Sequence, residues 1–392
     1  MSEYSLRPFV LVLLLWLAGL GAAAQFAKIA VPFADFHMLY PDVGPGFAWL
    51  LSILSVVGIF LGMTAGILAA KIGYVKLLIL GLLLGAVVSL WQALLPSFPA
   101  MLMSRLIEGF SHLSIVVVAP TLIAQLSSDR FRGIAMTLWS TFFGVAFAVI
   151  AWVGLPFIAT HGVSGLLSMH ALFMLVVACG LLLVFRNFNV GLPVSNAPLN
   201  VLSILRQHVK AYRSPNISAP AIGWLFYTLT FVAVLAIVPA ILPAGSRAII
   251  LGILPLISIA TSLLLVSLLL SLVSATRIVI AGFILAAFVG LLTFTGLSTG
   301  IVFIGLFAVL GLIQGASFAA IVQLNSSAED RALANGAMAQ MGNLGNALGT
   351  PILLAILSIF GATGLLLTIC GLYLAGGSAH FLLSQRRKRI VD

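Results

Sequence analysis

Ser104-Arg105-Leu106-Ile107-Glu108-Gly109-Phe110-Ser111-His112 sits inside an apolar run that begins after Pro99 and continues to Ala124. Arg105, Glu108 and His112 recur at i, i+3 and i+7, so a helix places all three on one face. Ionisable groups on one stripe of a lipid-embedded helix are costly unless they line a protein or water interior. What surrounds the stripe decides what kind of chain this is.

The surroundings are apolar throughout. Of 392 residues, 62% are hydrophobic and 7% charged, and the mean hydropathy is +1.26. A soluble domain carries ~25% charged residues, so the polar faces that water would demand are missing and lipid is the solvent. Cys179 and Cys370 lie far apart in apolar runs and give no disulfide framework. The net charge of +10 sits in short segments between apolar runs, which marks membrane topology and excludes a nucleic-acid partner.

Twelve apolar runs are long enough to cross a ~30 Å hydrocarbon layer at ~1.5 Å per residue. They cover about 8–34, 47–70, 77–95, 99–124, 133–158, 164–185, 219–243, 247–272, 278–297, 300–324, 334–358 and 362–383. The longest polar segment, 186–218, carries Arg186, Arg206, Lys210 and Arg213 among prolines such as Pro193 and Pro198. It divides the chain into an N-terminal six-helix half, 1–185, and a C-terminal half, 219–392, that ends in a basic tail. Part of it, 200–212, is expected to form an amphipathic helix lying on the membrane. The start of the chain imitates a secretory signal ending at Ala22-Ala23-Ala24, but apolar character continues through Phe33, so the segment is read as a retained first span.

Loops numbered from the N-terminus place 15 of the 18 Lys and Arg residues on one side, with Arg247 opposite and Lys28 and Arg105 inside spans. That bias puts both termini and the linker in the cytoplasm. The halves also repeat weakly: Leu106-Ile107-Glu108-Gly109 is echoed by Leu312-Ile313-Gln314-Gly315, and Cys179-Gly180 by Cys370-Gly371. Related halves with a site at their interface are a recurring plan of secondary transporters.

Over essentially its whole length the chain resembles the major facilitator superfamily. Two motifs sharpen the likeness. Gly66-Ile67-Leu68-Ala69-Ala70-Lys71-Ile72-Gly73 is similar to the family loop Gly-x-x-x-Asp-Arg/Lys-x-Gly, matching at Gly66, Lys71 and Gly73, with Ala70 where the family has Asp. Arg105-x-x-Glu108-Gly109 is similar to the fourth-span signature Arg-x-x-Gln/Glu-Gly, which the family links to proton coupling. The resemblance implies an all-α membrane fold of twelve helices in two pseudo-symmetric six-helix bundles. It also implies alternating access by rocking of the bundles, and a cavity lined by spans one and four.

Depth arithmetic supplies partners within that plan. Glu108 lies about nine residues, or ~13 Å, into its span from the outer side, and Lys28 about eight residues, or ~12 Å, from the same side. An ion pair at matching depth follows, with Arg105 one turn further out and Asp35 near the mouth. Such a pair either holds two helices together or handles substrate and proton; a cation there holds an anionic group while Glu108 exchanges protons. His112, one turn from Glu108, either extends the relay or satisfies a nearby carbonyl. His37 and His170 lie near span ends and are read as interfacial. His170-x-x-x-Met174 has metal-like spacing, but core filling explains it, and no metal or other cofactor is expected.

The second half offers amides instead of charges. Gln314 takes the place of Glu108, and Gln340 and Asn343 lie in the eleventh run beside Gly345-x-x-x-Gly349, a spacing that permits close helix approach. The candidate cavity set is thus Gln25, Lys28, Asp35, Arg105, Glu108, His112, Gln314 and Asn343. No phosphate-binding loop and no hydrolytic motif appears, so the chain is not read as an enzyme or an ATP-driven pump. The expected function is proton-coupled secondary transport of a small organic solute, anionic or zwitterionic, by a monomer in the bacterial inner membrane. Efflux is the favoured direction, with an uptake symporter or a uniporter as alternatives within transport. A non-transporting receptor or assembly factor on the same fold is the alternative of another class.

Overall fold

The computed structural model describes residues 3–186 and 201–391, and every regular element among them is helical. Pro193 and Pro198 of the expected linker, and the side chains of Arg7, Asp129 and Arg130, lie outside the described residues. Among the described residues nine helices are long and apolar enough to cross a membrane, ten if the bent pair Pro45–Leu61 and Ala65–Ile72 counts as one. Two of the nine exceed a single crossing. Phe142–Phe185 has 44 residues and Glu329–Arg389 has 61, against the ~20 a bilayer needs. Each contains a glycine whose backbone leaves the helix: Gly162 at φ 68, ψ 177 and Gly361 at φ 65, ψ −168. Positive φ costs other residues more than it costs glycine, which is why the turns fall there.

Helix ends follow local chemistry. Phe98–Leu126 starts with Pro99 in its first turn, where the missing N–H needs no partner. The first helix, Glu3–Ala30, stops short of the run expected to 34, because Pro32 cannot donate to the preceding turn. Asp35 therefore belongs to a separate short helix, Phe33–Leu39. Gly73 at φ 98, ψ 126 turns the chain between Ala65–Ile72 and Tyr74–Ala93, which accounts for a glycine at the end of the loop motif.

The chain forms two compact units, one of Met1–Pro41 with Thr64–Leu199, the other of Asp42–Met63 with Asn200–Asp392. In the first, stripes at helical spacing meet: Leu11, Leu15 and Ala18 from Glu3–Ala30, Leu78 and Leu82 from Tyr74–Ala93, and Ala119 and Leu122 from Phe98–Leu126. Large apolar side chains elsewhere face outward, Leu183 and Leu264 at 70% and 76% exposure, as lipid-facing surface requires.

In the second unit, the segment Asp42–Met63 is held by hydrogen bonds from Gln340 Nε2 to the Ile59 carbonyl at 2.7 Å and from Ser52 Oγ to the Asn346 carbonyl at 3.4 Å. The helix Pro215–Ile237 runs against Gly345 and Gly349. A Cβ on Gly345 would meet the Leu225 carbonyl at 2.7 Å and the Leu229 nitrogen at 2.9 Å. The glycine spacing thus serves backbone-to-backbone approach. Replacing either glycine with alanine pushes two helices apart, so Gly345→Ala is expected to destabilise the purified protein by roughly 1–3 kcal/mol, read as a lower midpoint of thermal unfolding in detergent.

Candidate functional site

Four helices of the first unit bring ionisable and polar side chains into one buried cluster. Glu3–Ala30 contributes Gln25 and Lys28, Tyr74–Ala93 contributes Ser89 and Gln92, Phe98–Leu126 contributes Ser104, Arg105 and Glu108, and Leu155–Phe185 contributes His170. Lys28, Arg105 and Glu108 are each 0% exposed. Burying an ion costs several kcal/mol even after relaxation, roughly, so each charge must find direct partners.

It does. Lys28 Nζ donates to Glu108 Oε1 at 2.6 Å and to Ser89 Oγ at 2.8 Å, and lies 3.3 Å from His170 Nδ1. The first two contacts are hydrogen bonds from the ammonium; the third is a longer approach to a ring nitrogen that Ser89 also reaches. The other carboxylate oxygen, Glu108 Oε2, accepts from Arg105 and, at 2.9 Å, from Gln92 Nε2. Arg105 also donates to the Gln25 carbonyl at 2.8 Å, tying the guanidinium to the first helix. With Glu108 ionised and the histidines neutral, two cations face one carboxylate and the cluster carries one net positive charge.

The histidine tautomers follow from carbonyl partners, which only accept. His170 Nε2 is 3.0 Å from the Gly21 carbonyl and carries the hydrogen, so Nδ1 accepts from the Ser89 hydroxyl at 2.7 Å. Lys28 to Ser89 to His170 is thus a directed hydrogen-bond chain. His112 Nδ1 donates to the Ala22 carbonyl at 2.9 Å, with its ring set edge-on to Phe26 at 5.1 Å. That is the carbonyl-satisfying arrangement, beside the cluster.

Of the expected site residues, Gln25, Lys28, Arg105 and Glu108 come together and His112 adjoins them. Gln25 Nε2 donates to Ser111 Oγ at 2.8 Å. Asp35 stands apart on its short helix, half-exposed, and partial burial holds its carboxyl above the usual carboxylate range. Gln314 belongs to the second unit, where its Oε1 accepts from Ser258 Oγ at 3.3 Å and Tyr227 OH at 3.4 Å. Asn343, also there, donates to the Ala339 carbonyl of its own helix at 2.9 Å and lies against Gly58. Lys71 of the loop motif is exposed, and a Cβ on Gly66 would meet nothing within 4 Å.

One expectation is corrected. His170, read from its place near a span end as interfacial, is buried at 5% exposure against Lys28. The turn at Gly162 starts the second crossing of Phe142–Phe185 about one residue later, so His170 lies some seven residues, or ~10 Å, along it. Ser89 and Gln92 were not singled out either. Their signal is present: Gly81, Gly85, Ser89 and Gln92 fall at i, i+4, i+8 and i+11, a small-and-polar stripe on an apolar helix. A Cβ on Gly85 would lie 2.6 Å from Ser111 Oγ and 3.0 Å from Gln25 Nε2, so this stripe admits the close approach that the cluster needs.

Charge balance orders the single substitutions. Glu108→Gln leaves two buried cations facing each other, whereas Lys28→Met leaves the Arg105–Glu108 pair. Glu108→Gln is therefore expected to cost ~3–5 kcal/mol and Lys28→Met clearly less, with the double variant recovering part of the loss. Chemical unfolding of the purified variants measures the order.

Residues 11–350 match the family model described as the Major Facilitator Superfamily. No curated protein matches the chain.

Proposed function

The chain belongs to the major facilitator superfamily, and from that premise we propose that it is a proton-coupled secondary transporter for a small organic anion or zwitterion, with Glu108 as the proton site. Family membership and its apolar helices make it a multi-pass membrane transporter of a generally non-enzymatic family. The finer reading is carried by one observation, two basic side chains, Lys28 and Arg105, buried against the single carboxyl of Glu108.

The charge count couples solute to proton. An anionic group alone brings the cluster to zero, a proton on Glu108 alone raises it to two, and both together restore the resting value. The doubly positive state is the expensive one in a low dielectric. Proton binding therefore follows anion binding. The anion reaches Lys28 by displacing Glu108, which keeps Arg105 and Gln92 as partners. Ligands that favour each other's binding travel together, so an uptake symporter is preferred here to efflux.

The membrane plan goes with this reading. Dividing the two long helices at Gly162 and Gly361 and counting the bent pair once yields twelve spans. The distribution of Lys and Arg orients both termini to the cytoplasm of a bacterial inner membrane, with the chain acting as a monomer by alternating access.

Two experiments test these claims. A thermal-shift screen of small carboxylates and zwitterions identifies a ligand, and proteoliposomes with an alkaline interior are then expected to accumulate it. Glu108→Gln is expected to lose accumulation and flatten the pH profile; a wild-type profile in that variant removes Glu108 from the proton step, and no flux of any stabilising ligand removes the transporter reading. A reporter fused after Asp392 is expected to read as cytoplasmic, and a periplasmic readout overturns the orientation.

A further inference from the structure

The helix Val201–Arg213 belongs to the second unit and is divided into sectors around its axis. At ~100° per residue, His208, Ala211 and Tyr212 share one side, Leu202, Leu205 and Val209 the next, and Arg206, Lys210 and Arg213 the one beyond. The first sector is docked. Ala211 is 0% exposed among Ile217, Ala334 and Ala337. Tyr212 OH donates to Gln340 Oε1 at 2.7 Å, and burial pushes that phenol up to about 12, so it stays a donor. His208 Nδ1 donates to the Ile204 carbonyl at 2.9 Å, which leaves Nε2 to accept from Gln340 Nε2 at 3.3 Å. A further tether reaches the start of the neighbouring helix, where Lys210 Nζ pairs with Glu329 at 3.0 Å and Asp330 at 2.9 Å.

The other two sectors present exposed side chains, Lys210 among them in its ion pairs. Leu205 and Val209 are 56% and 49% exposed, and Arg206 and Arg213 are exposed beside them. Basic side chains outnumber acidic ones around them. Arg387 reaches back to the Pro215 carbonyl at 3.0 Å, bringing the basic tail Arg386-Arg387-Lys388-Arg389 to the foot of this helix. Glu329 and Asp330, close to this helix, are engaged by Lys210. An apolar stripe flanked by cations is the arrangement of a helix lying at a lipid headgroup boundary, with the leucines in the acyl region and the guanidiniums among phosphates. A solvent-facing helix has no use for the exposed Leu205 and Val209 pair.

We propose that Val201–Arg213 is a docking surface for anionic phospholipid headgroups, with Leu205 and Val209 inserted in the leaflet and Arg206 and Arg213 contacting the phosphates. The tethers through Tyr212, His208 and Lys210 hold the helix in the rotation that presents both sectors to the membrane at once. This assignment is independent of what the protein carries.

The test uses the full chain with Cys179 and Cys370 replaced by serine, carrying a nitroxide at Leu205→Cys or at Gln207→Cys on the opposite, polar side. The protein is placed in vesicles of phosphatidylcholine alone or of equal parts phosphatidylcholine and phosphatidylglycerol. In the mixed vesicles the label at 205 is expected to be relaxed by oxygen and shielded from a water-soluble nickel chelate, and the label at 207 the reverse. Arg206→Gln/Arg213→Gln is expected to retain several-fold less phosphatidylglycerol than the parent on purification, with phosphatidylcholine unchanged. Equal water access at both labels assigns the face to solvent or to a soluble partner, and undiminished phosphatidylglycerol in the double variant removes the arginines; either result overturns the proposal.

Discussion

The contact on which the first unit depends is the 2.6 Å bond between Lys28 Nζ and Glu108 Oε1, both at 0% exposure. An ion pair of this kind repays its desolvation only when further hydrogen bonds meet the lone pairs and hydrogens that the pair leaves over. That requirement reaches beyond the two helices carrying the pair. Tyr74–Ala93 must present Ser89 and Gln92, and Leu155–Phe185 must present His170, at one depth and in one rotation. Four helices are thereby fixed in register by three charges. The glycines of Tyr74–Ala93 serve the same end, since a side chain at Gly85 would occupy the space of Ser111 and Gln25.

The second unit solves a different problem with neutral groups. Gln314, at the place of Glu108 in the weak repeat, gathers the hydroxyls of Tyr227 and Ser258. Above and below, Trp224, Tyr227 and Phe231 stack along one helix, with ring centroids 4.5 and 5.2 Å apart. An amide with hydroxyl donors costs little to bury and carries no net charge, so no proton is needed to balance it. Among the described residues the buried Lys, Arg and Glu side chains all lie in the first unit, and Gln314 of the second is met by hydroxyls.

Much of this is legible in the sequence. Spacing put Arg105 and Glu108 on one stripe, and counting residues from the span ends set Lys28 at the depth of Glu108. Gly345-x-x-x-Gly349 reads as close helix approach, and the backbone of Leu225 and Leu229 lies where a Cβ would go. The helix expected at 200–212 forms over Val201–Arg213. The failures share a cause. His170 sits near the end of an apolar run, and a distance from a run end says nothing about which side of the helix faces inward. Ser89 is small enough to pass as filler in an apolar run, and its hydroxyl matters only because Lys28 and His170 arrive on either side of it.

The sequence by itself determined that the chain is built of apolar, membrane-crossing helices, and that Lys28, Arg105 and Glu108, set inside apolar runs, must find partners there. Those properties are local or additive, readable from hydropathy, spacing and charge along one dimension. Only the tertiary structure decided who the partners are: Ser89, Gln92 and His170 joining the cluster, Asp35 left outside beyond Pro32, and Asn343 turned to Gly58. The reason is geometric. A buried charge constrains the sum of its contacts but not their source, and the source depends on the rotation and depth of helices far apart in the chain.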